Sequence, residues 1–225
     1  MKAHIFDLDG TLLDSMGVWD GLNTAFFNKR GIEMPADYPF AVLRISLFES
    51  AEYTKKRFAL PETPEALMRE WNDTVAYAYG HTIQMKPFAK EYLHILYERG
   101  AKLAVATSLP AELYNRALEA NGIRGLFTVI SDADEAGYGK TRPDIFLLAA
   151  KKLGVPPGDC VVYEDILAAI LSAKQAGMNV CGVYDKTSAA DWEQIKKTAD
   201  HTICDFNDLY ERVKNMSMNE TVYPF

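Results

Sequence analysis

Two aspartates, Asp7 and Asp9, stand in the string Phe6-Asp7-Leu8-Asp9-Gly10-Thr11-Leu12-Leu13-Asp14-Ser15. The string closes the first strand-like run of the chain. Carboxylates held close repel, which raises one pKa or recruits a cation. Hard, oxygen-only ligands favour Mg2+, which binds alongside phosphate. A carboxylate can also be a nucleophile and carry a phosphoryl group. On a regular strand the two acids would share a face. A curl at residues 8–10, which Gly10 allows, lets one enter a site while the other arches over it. The bland alternative is a pair of solvated turn acids. The full ten-residue string at a strand end argues against it.

Three more groups fall at the ends of later strands. Thr107 and Ser108 close the run Ala104-Val105-Ala106-Thr107-Ser108. Thr107 can donate a hydrogen bond to a phosphate oxygen, and Ser108 suits the N-cap of the following helix. Lys140, in Gly139-Lys140-Thr141-Arg142-Pro143-Asp144, puts a cation just before a helix; alone it would read as a surface lysine. Val161-Val162-Tyr163-Glu164-Asp165 ends a strand in two acids. Buried, unpaired acids are costly, so adjacent acids there point to a site; Asp165 as a simple helix cap is the alternative.

The elements that must position these groups alternate. Short apolar runs at 3–8, 102–106, 128–131, 160–163 and 179–183 read as strands buried on both faces. Helical patterns at 89–99, 111–121, 143–153, 166–176 and 189–198 lie between them. That alternation predicts an α/β fold, a Rossmann-like doubly wound parallel sheet. Residues 15–84 break it with three helical patterns, 16–30, 40–59 and 64–79, punctuated by Gly31 and by prolines at 35, 39, 61 and 64. The expected organisation is an α/β catalytic core at 1–14 and 85–225 with an inserted all-helical cap domain at 15–84. Residues 215–225 show no period and receive no element.

Composition narrows the function classes. The 225 residues are 48% hydrophobic and 12% aromatic, which excludes disorder. The net charge of −7 argues against a nucleic-acid partner, which needs a basic surface. No apolar run approaches the roughly 20 residues of a spanning helix, and Asp7 interrupts the first one, so neither a membrane span nor an export signal is expected. Cys160, Cys181 and Cys204 lie far apart without a CxxC pair, which argues against a disulfide framework and a zinc site. A cytoplasmic protein, monomer or homodimer, is expected.

Acid pair, hydroxyl, lysine and second acid pair, each at a strand end and in that order, resemble the haloacid dehalogenase superfamily of phosphotransferases. The cap position narrows the resemblance to the subfamily that holds phosphoglycolate phosphatase-like phosphatases and β-phosphoglucomutase. It spans residues 3–210. It implies that Asp7 attacks phosphorus and that Asp9 is the general acid/base. Asp9 would protonate the leaving alkoxide, then activate water on the aspartyl-phosphate, and its backbone carbonyl would meet the metal. Asp165 would complete the Mg2+ site with Asp7, supported by Glu164. Thr107, Ser108 and Lys140 would hold the phosphoryl group. In the cap, Arg44 is the candidate for substrate contact, with Trp19, Asn23 and Asn72 beside it. Ile166 and Ala169 depart from the family's usual Ser and Gly, and Thr141 from its Pro. Trp19 stands near the position where the mutase cap carries His, which favours a substrate with one phosphate. The resemblance therefore implies a Mg2+-dependent phosphatase acting on a small phosphorylated metabolite (a sugar, polyol or hydroxy-acid phosphate). A phosphomutase and a catalytically silent phosphometabolite-binding module are the alternatives.

Overall fold

Six short strands pair into one parallel sheet. The structure, a computed structural model, describes residues 3–42 and 47–217. The strands are β1 (Ala3–Phe6), β2 (Lys102–Thr107), β3 (Val129–Asp132), β4 (Cys160–Glu164), β5 (Asn179–Val183) and β6 (His201–Ile203). Their order is β3-β2-β1-β4-β5-β6, with every neighbouring pair parallel. The order reverses between β1 and β4. In open sheets of this kind the crevice outside the strand ends at that reversal takes the ligand.

Helices α1 (Met16–Lys29), α2 (Tyr38–Val42), α3 (Leu47–Phe58), α4 (Pro64–His81) and α5 (Ala89–Glu98) lie between β1 and β2. Then α6 (Ala111–Ala120) leads to β3, and α7 (Ala133–Ala136) and α8 (Asp144–Leu153) lead to β4. Finally α9 (Leu167–Gln175) precedes β5, α10 (Trp192–Thr198) precedes β6, and α11 (Asn207–Asn215) follows it.

Alternation along the strands sorts the core into two layers, as a period of two requires. Ala3 and Ile5 of β1, Ala104 and Ala106 of β2 and Val162 of β4 pack with Phe146, Ile170 and Ile195 of α8, α9 and α10. Phe6, Leu103, Val105, Val161 and Tyr163 face the other way, onto Tyr92 and Leu96 of α5, Leu118 of α6 and Val213 of α11. Phe6 stacks on Tyr163 with ring centroids 4.2 Å apart. Each fully buried side chain of this size contributes about 1.5–3 kcal/mol. The ends of β1 and β4, where the acids sit, are therefore fixed by core on both faces.

The inserted helices share the second layer through Leu22, Phe26, Phe27, Leu67, Trp71, Val75 and Tyr79. Trp71 packs edge-on against Phe26 as a core aromatic. Thr63 caps α4 by accepting from the Ala66 amide at 3.2 Å, with Pro64 next in the first turn. The entry and exit of the insertion are tied together. The Asp14 amide donates to the Gln84 carbonyl and the Lys86 amide to the Leu12 carbonyl, each at 2.9 Å. Lys86 then reaches into the core, donating to the Tyr184 carbonyl at 2.6 Å and to Asp185 Oδ2 at 3.0 Å.

Three elements depart from the sequence expectation: the four-residue α7, β6 and α11. β6 was not anticipated: three residues, two of them polar, carry too little apolar signal, yet they pair with β5 at the sheet edge. α11 was also missed, although Leu209 and Val213, four apart, bury one face of it. The helix expected at 40–59 is present as α2 and α3, with residues 43–46 outside the described residues.

Candidate active site

β1 ends at Phe6 because the chain curls at once. The Leu8 carbonyl accepts from the amides of Thr11, Leu12 and Leu13 at 3.2, 3.0 and 2.8 Å. Gly10, inside the curl, takes φ +77°, which L side chains rarely adopt. The curl gives Asp7 and Asp9 different surroundings, as the spacing predicted.

Asp7 is buried beside β4: its amide donates to the Tyr163 carbonyl at 3.0 Å. Its carboxylate pairs with Lys140, which also approaches Glu164 Oε1 at 3.4 Å. Lys140 is thus drawn into the site and is not a surface lysine; its side chain keeps only 10% exposure. Glu164 and Asp165, at the end of β4, are both buried. The Thr11 hydroxyl lies 3.0 Å from Asp165 Oδ1 and 3.4 Å from Glu164 Oε2, and the Asp165 amide donates to Glu164 Oε2 at 3.0 Å.

Asp7, Glu164 and Asp165 each offer an oxygen, all within 4.8 Å of one another. Burial, and next the charge of Asp7, push the Asp165 carboxyl up to about 7 despite Lys140 and the Thr11 hydroxyl. The same two causes hold Glu164 well above the usual carboxylate range. Burial alone would lower Lys140, but Asp7 and Glu164 more than reverse it, so the ammonium stays charged. Ionised together, the three carboxylates would outnumber the one ammonium, so the cluster either takes up protons or recruits a cation. An all-oxygen set of this kind fits a hard divalent cation.

Asp9 stands apart, half-buried. Ser15 Oγ and the Tyr79 hydroxyl both donate to its Oδ1, each at 2.6 Å. Burial raises its carboxyl to about 6, against the lowering effect of those two donors. Ser15 occupies the N-cap position of α1 but makes no side-chain cap bond to the helix; its hydroxyl is given to Asp9 instead.

Thr107 ends β2, buried, and its Oγ1 accepts from the Leu109 amide at 3.1 Å. That fixes the oxygen and leaves the hydroxyl hydrogen available to a ligand. Ser108 is exposed and does not cap α6, whose N-cap position is Pro110. Arg44 lies outside the described residues, as does the Trp19 side chain; Asn23 is half-buried on α1 and Asn72 exposed on α4. Two residues of the site were not singled out from the sequence. Thr11 was visible inside the first motif. Tyr79 reads as one more core aromatic on α4, in step with Trp71 and Val75.

Among the described residues no helix is long and apolar enough to cross a membrane. The chain is similar to known phosphatases. Hexitol phosphatase B of Escherichia coli (strain K12) is 27% identical over 179 residues, 78% of this chain and 80% of that protein. Phosphorylated carbohydrates phosphatase of Thermotoga maritima is 25% identical over 178 residues, 79% of this chain and 82% of that protein. The crystal structure of β-phosphoglucomutase from Clostridium difficile superposes with a TM-score of 0.68 at 25% identity, covering 95% of this chain and 96% of that one. The haloacid dehalogenase-like hydrolase family model matches residues 1–177, and the chain belongs to that family.

Proposed function

We propose that this phosphatase hydrolyses the phosphomonoester of a sugar or polyol, with Mg2+, through a phosphoryl group carried on Asp7. One observation carries the reading: the two motif acids are held in two different environments. Asp7 is paired with Lys140 inside the acidic cluster, while Asp9 sits on two hydroxyl donors with its carboxyl raised to about 6. The acid paired with the ammonium suits the nucleophile, and the one with the raised carboxyl suits the proton carrier. The substrate class follows the two similar phosphatases, named for hexitol and carbohydrate phosphates.

In the first step an Asp7 carboxylate oxygen bonds to phosphorus and the phosphorus–alkoxide bond breaks. Asp9 gives its proton to the departing oxygen. In the second step Asp9, now a carboxylate, takes a proton from water as that water attacks phosphorus. The Asp7–phosphorus bond breaks and inorganic phosphate leaves. Lys140 offsets charge on the transferred oxygens, and the Thr107 hydroxyl donates to one of them. Asp7, Glu164, Asp165 and the Asp9 carbonyl would hold Mg2+, which supplies the positive charge that lets an anionic carboxylate meet an anionic phosphate. Residues 15–84 act as a cap over the site, with Arg44 and Ser108 assigned to substrate contact.

The test is phosphate release from a panel of hexitol, hexose and hydroxy-acid phosphates, with Mg2+ and with chelator. Asp7→Asn serves as control. Release is expected only with both Mg2+ and Asp7, fastest on the sugar and polyol esters. Isomerised sugar phosphate without net phosphate release would overturn the reading.

A further inference from the structure

Tyr79 is fully buried in the last turn of α4, yet its hydroxyl points away from the apolar layer and ends on Asp9, seventy positions earlier. Its partner at the same oxygen, Ser15, opens α1. One donor comes from the way into the insertion and one from the way out. The two linkers are themselves zipped by the Asp14–Gln84 and Lys86–Leu12 backbone bonds. Both donors meet Oδ1, and no donor among the described residues meets Oδ2.

From this geometry we propose that Tyr79 is a positioning residue for the reaction: it fixes the rotation of the Asp9 carboxyl so that Oδ2 carries the transferable proton and faces the leaving group. The inference rests on Asp9 being the proton carrier. An oxygen that already accepts two hydrogen bonds has no lone pair left for a proton. The proton therefore resides on the other oxygen. Without Tyr79, Ser15 alone leaves the carboxyl free to turn about its terminal bond, a broad and shallow torsion. The Tyr79 hydroxyl meets a carboxylate oxygen that accepts, so it is the donor of the pair. Because Tyr79 rides on α4, any displacement of that helix displaces the donor. The proton carrier is then aligned only when the inserted helices sit as they do here.

The experiment compares Tyr79→Phe with wild type and Asp7→Asn in the full chain, on a hexitol phosphate and on p-nitrophenyl phosphate. Tyr38→Phe is the matched control. It removes another buried hydroxyl of the insertion, bonded to Thr54 at 2.7 Å and away from Asp9. Tyr79→Phe is expected to lower kcat on the hexitol phosphate about 10-fold or more, within the range general acid–base groups supply, with KM within about twofold. On p-nitrophenyl phosphate, whose leaving group needs no proton, nitrophenol is expected in a stoichiometric burst before a slow steady rate. Tyr38→Phe is expected to lower the thermal midpoint without changing kcat. The inference is overturned if kcat of Tyr79→Phe stays within twofold of wild type, if only KM moves, or if Tyr38→Phe loses as much. If wild type itself releases no phosphate and matches Asp7→Asn, the catalytic reading has failed and this inference falls with it. That outcome is distinct from an active wild type with an indifferent Tyr79→Phe.

Discussion

A Cβ added to Gly10 would lie 2.5 Å from Oδ2 of Asp165. The first motif and the end of β4 thus touch through a missing side chain. The glycine serves two needs there: a positive φ, and room for a carboxylate across the sheet reversal.

Gly10→Ala should therefore damage the cluster more than the fold. The positive φ costs roughly 1–2 kcal/mol for a residue with a Cβ, and the methyl group displaces the Asp165 carboxylate. We expect Mg2+ half-saturation of phosphate release to rise about 10–100-fold, the range for disturbing groups around a metal. The thermal midpoint should fall by only a few degrees. A variant that melts lower yet saturates with Mg2+ like wild type would show that the close approach is unimportant to the cluster.

The carboxylate cluster of Asp7, Glu164 and Asp165 gives a readout that needs no substrate. A ligand that binds only the folded chain raises its stability by mass action. Mg2+ should raise the thermal midpoint in a concentration-dependent way, chelator should reverse it, and Asp165→Asn should abolish the shift. Equal shifts in wild type and Asp165→Asn would place the cation elsewhere.

Lys140 is the one cation described in contact with Asp7. Lys140→Met should lower kcat about 100-fold or more, the cost of removing one preorganised partner of transition-state charge. Arg should not restore it, since its planar fork does not replace a compact ammonium in a buried place. Full activity in the arginine variant would mean that charge alone suffices.

The Lys86–Asp185 pair bolts the exit of the insertion to the end of β5, with side-chain exposures of 9% and 6%. Burial pushes the Asp185 carboxyl up, but bonds from the Thr187 hydroxyl and amide and from Lys86 bring it below the usual carboxylate value. A depressed folded value means stability that is present above about pH 4 and lost as pH falls through that value. Lys86→Met leaves the carboxylate buried without its cation and should cost about 3–5 kcal/mol at pH 7. The deficit should shrink on acidification, as Asp185 takes up a proton. Urea unfolding of both proteins at pH 7 and pH 4 measures it. A deficit that does not change with pH would assign Lys86 a packing role.

How much of this was legible in the sequence follows from where the information lies. Asp7, Glu164 and Asp165 end strands whose apolar runs announce themselves, so their meeting follows once the strands are set side by side. Lys140 was legible by position, although nothing local shows that its side chain turns inward; that depends on Asp7 and Glu164 attracting it across the crevice. Ser15 was visible as a helix start, but the choice between a helix amide and Asp9 is decided by a curl that only the folded chain displays. Tyr79 was hidden because a buried tyrosine at helical spacing reads as core, and its polar end finds its partner across 70 residues of chain. The short β6 owes its existence to pairing with β5, which local pattern does not encode.

The most direct measurement is mass spectrometry of enzyme quenched in acid during turnover of p-nitrophenyl phosphate with Mg2+. One phosphoryl group is expected on the peptide that contains Asp7, absent in Asp7→Asn and lost on standing as the acyl phosphate hydrolyses. Steady phosphate release from wild type with that peptide unmodified, or undiminished release from Asp7→Asn, would contradict a phosphoryl group carried on Asp7.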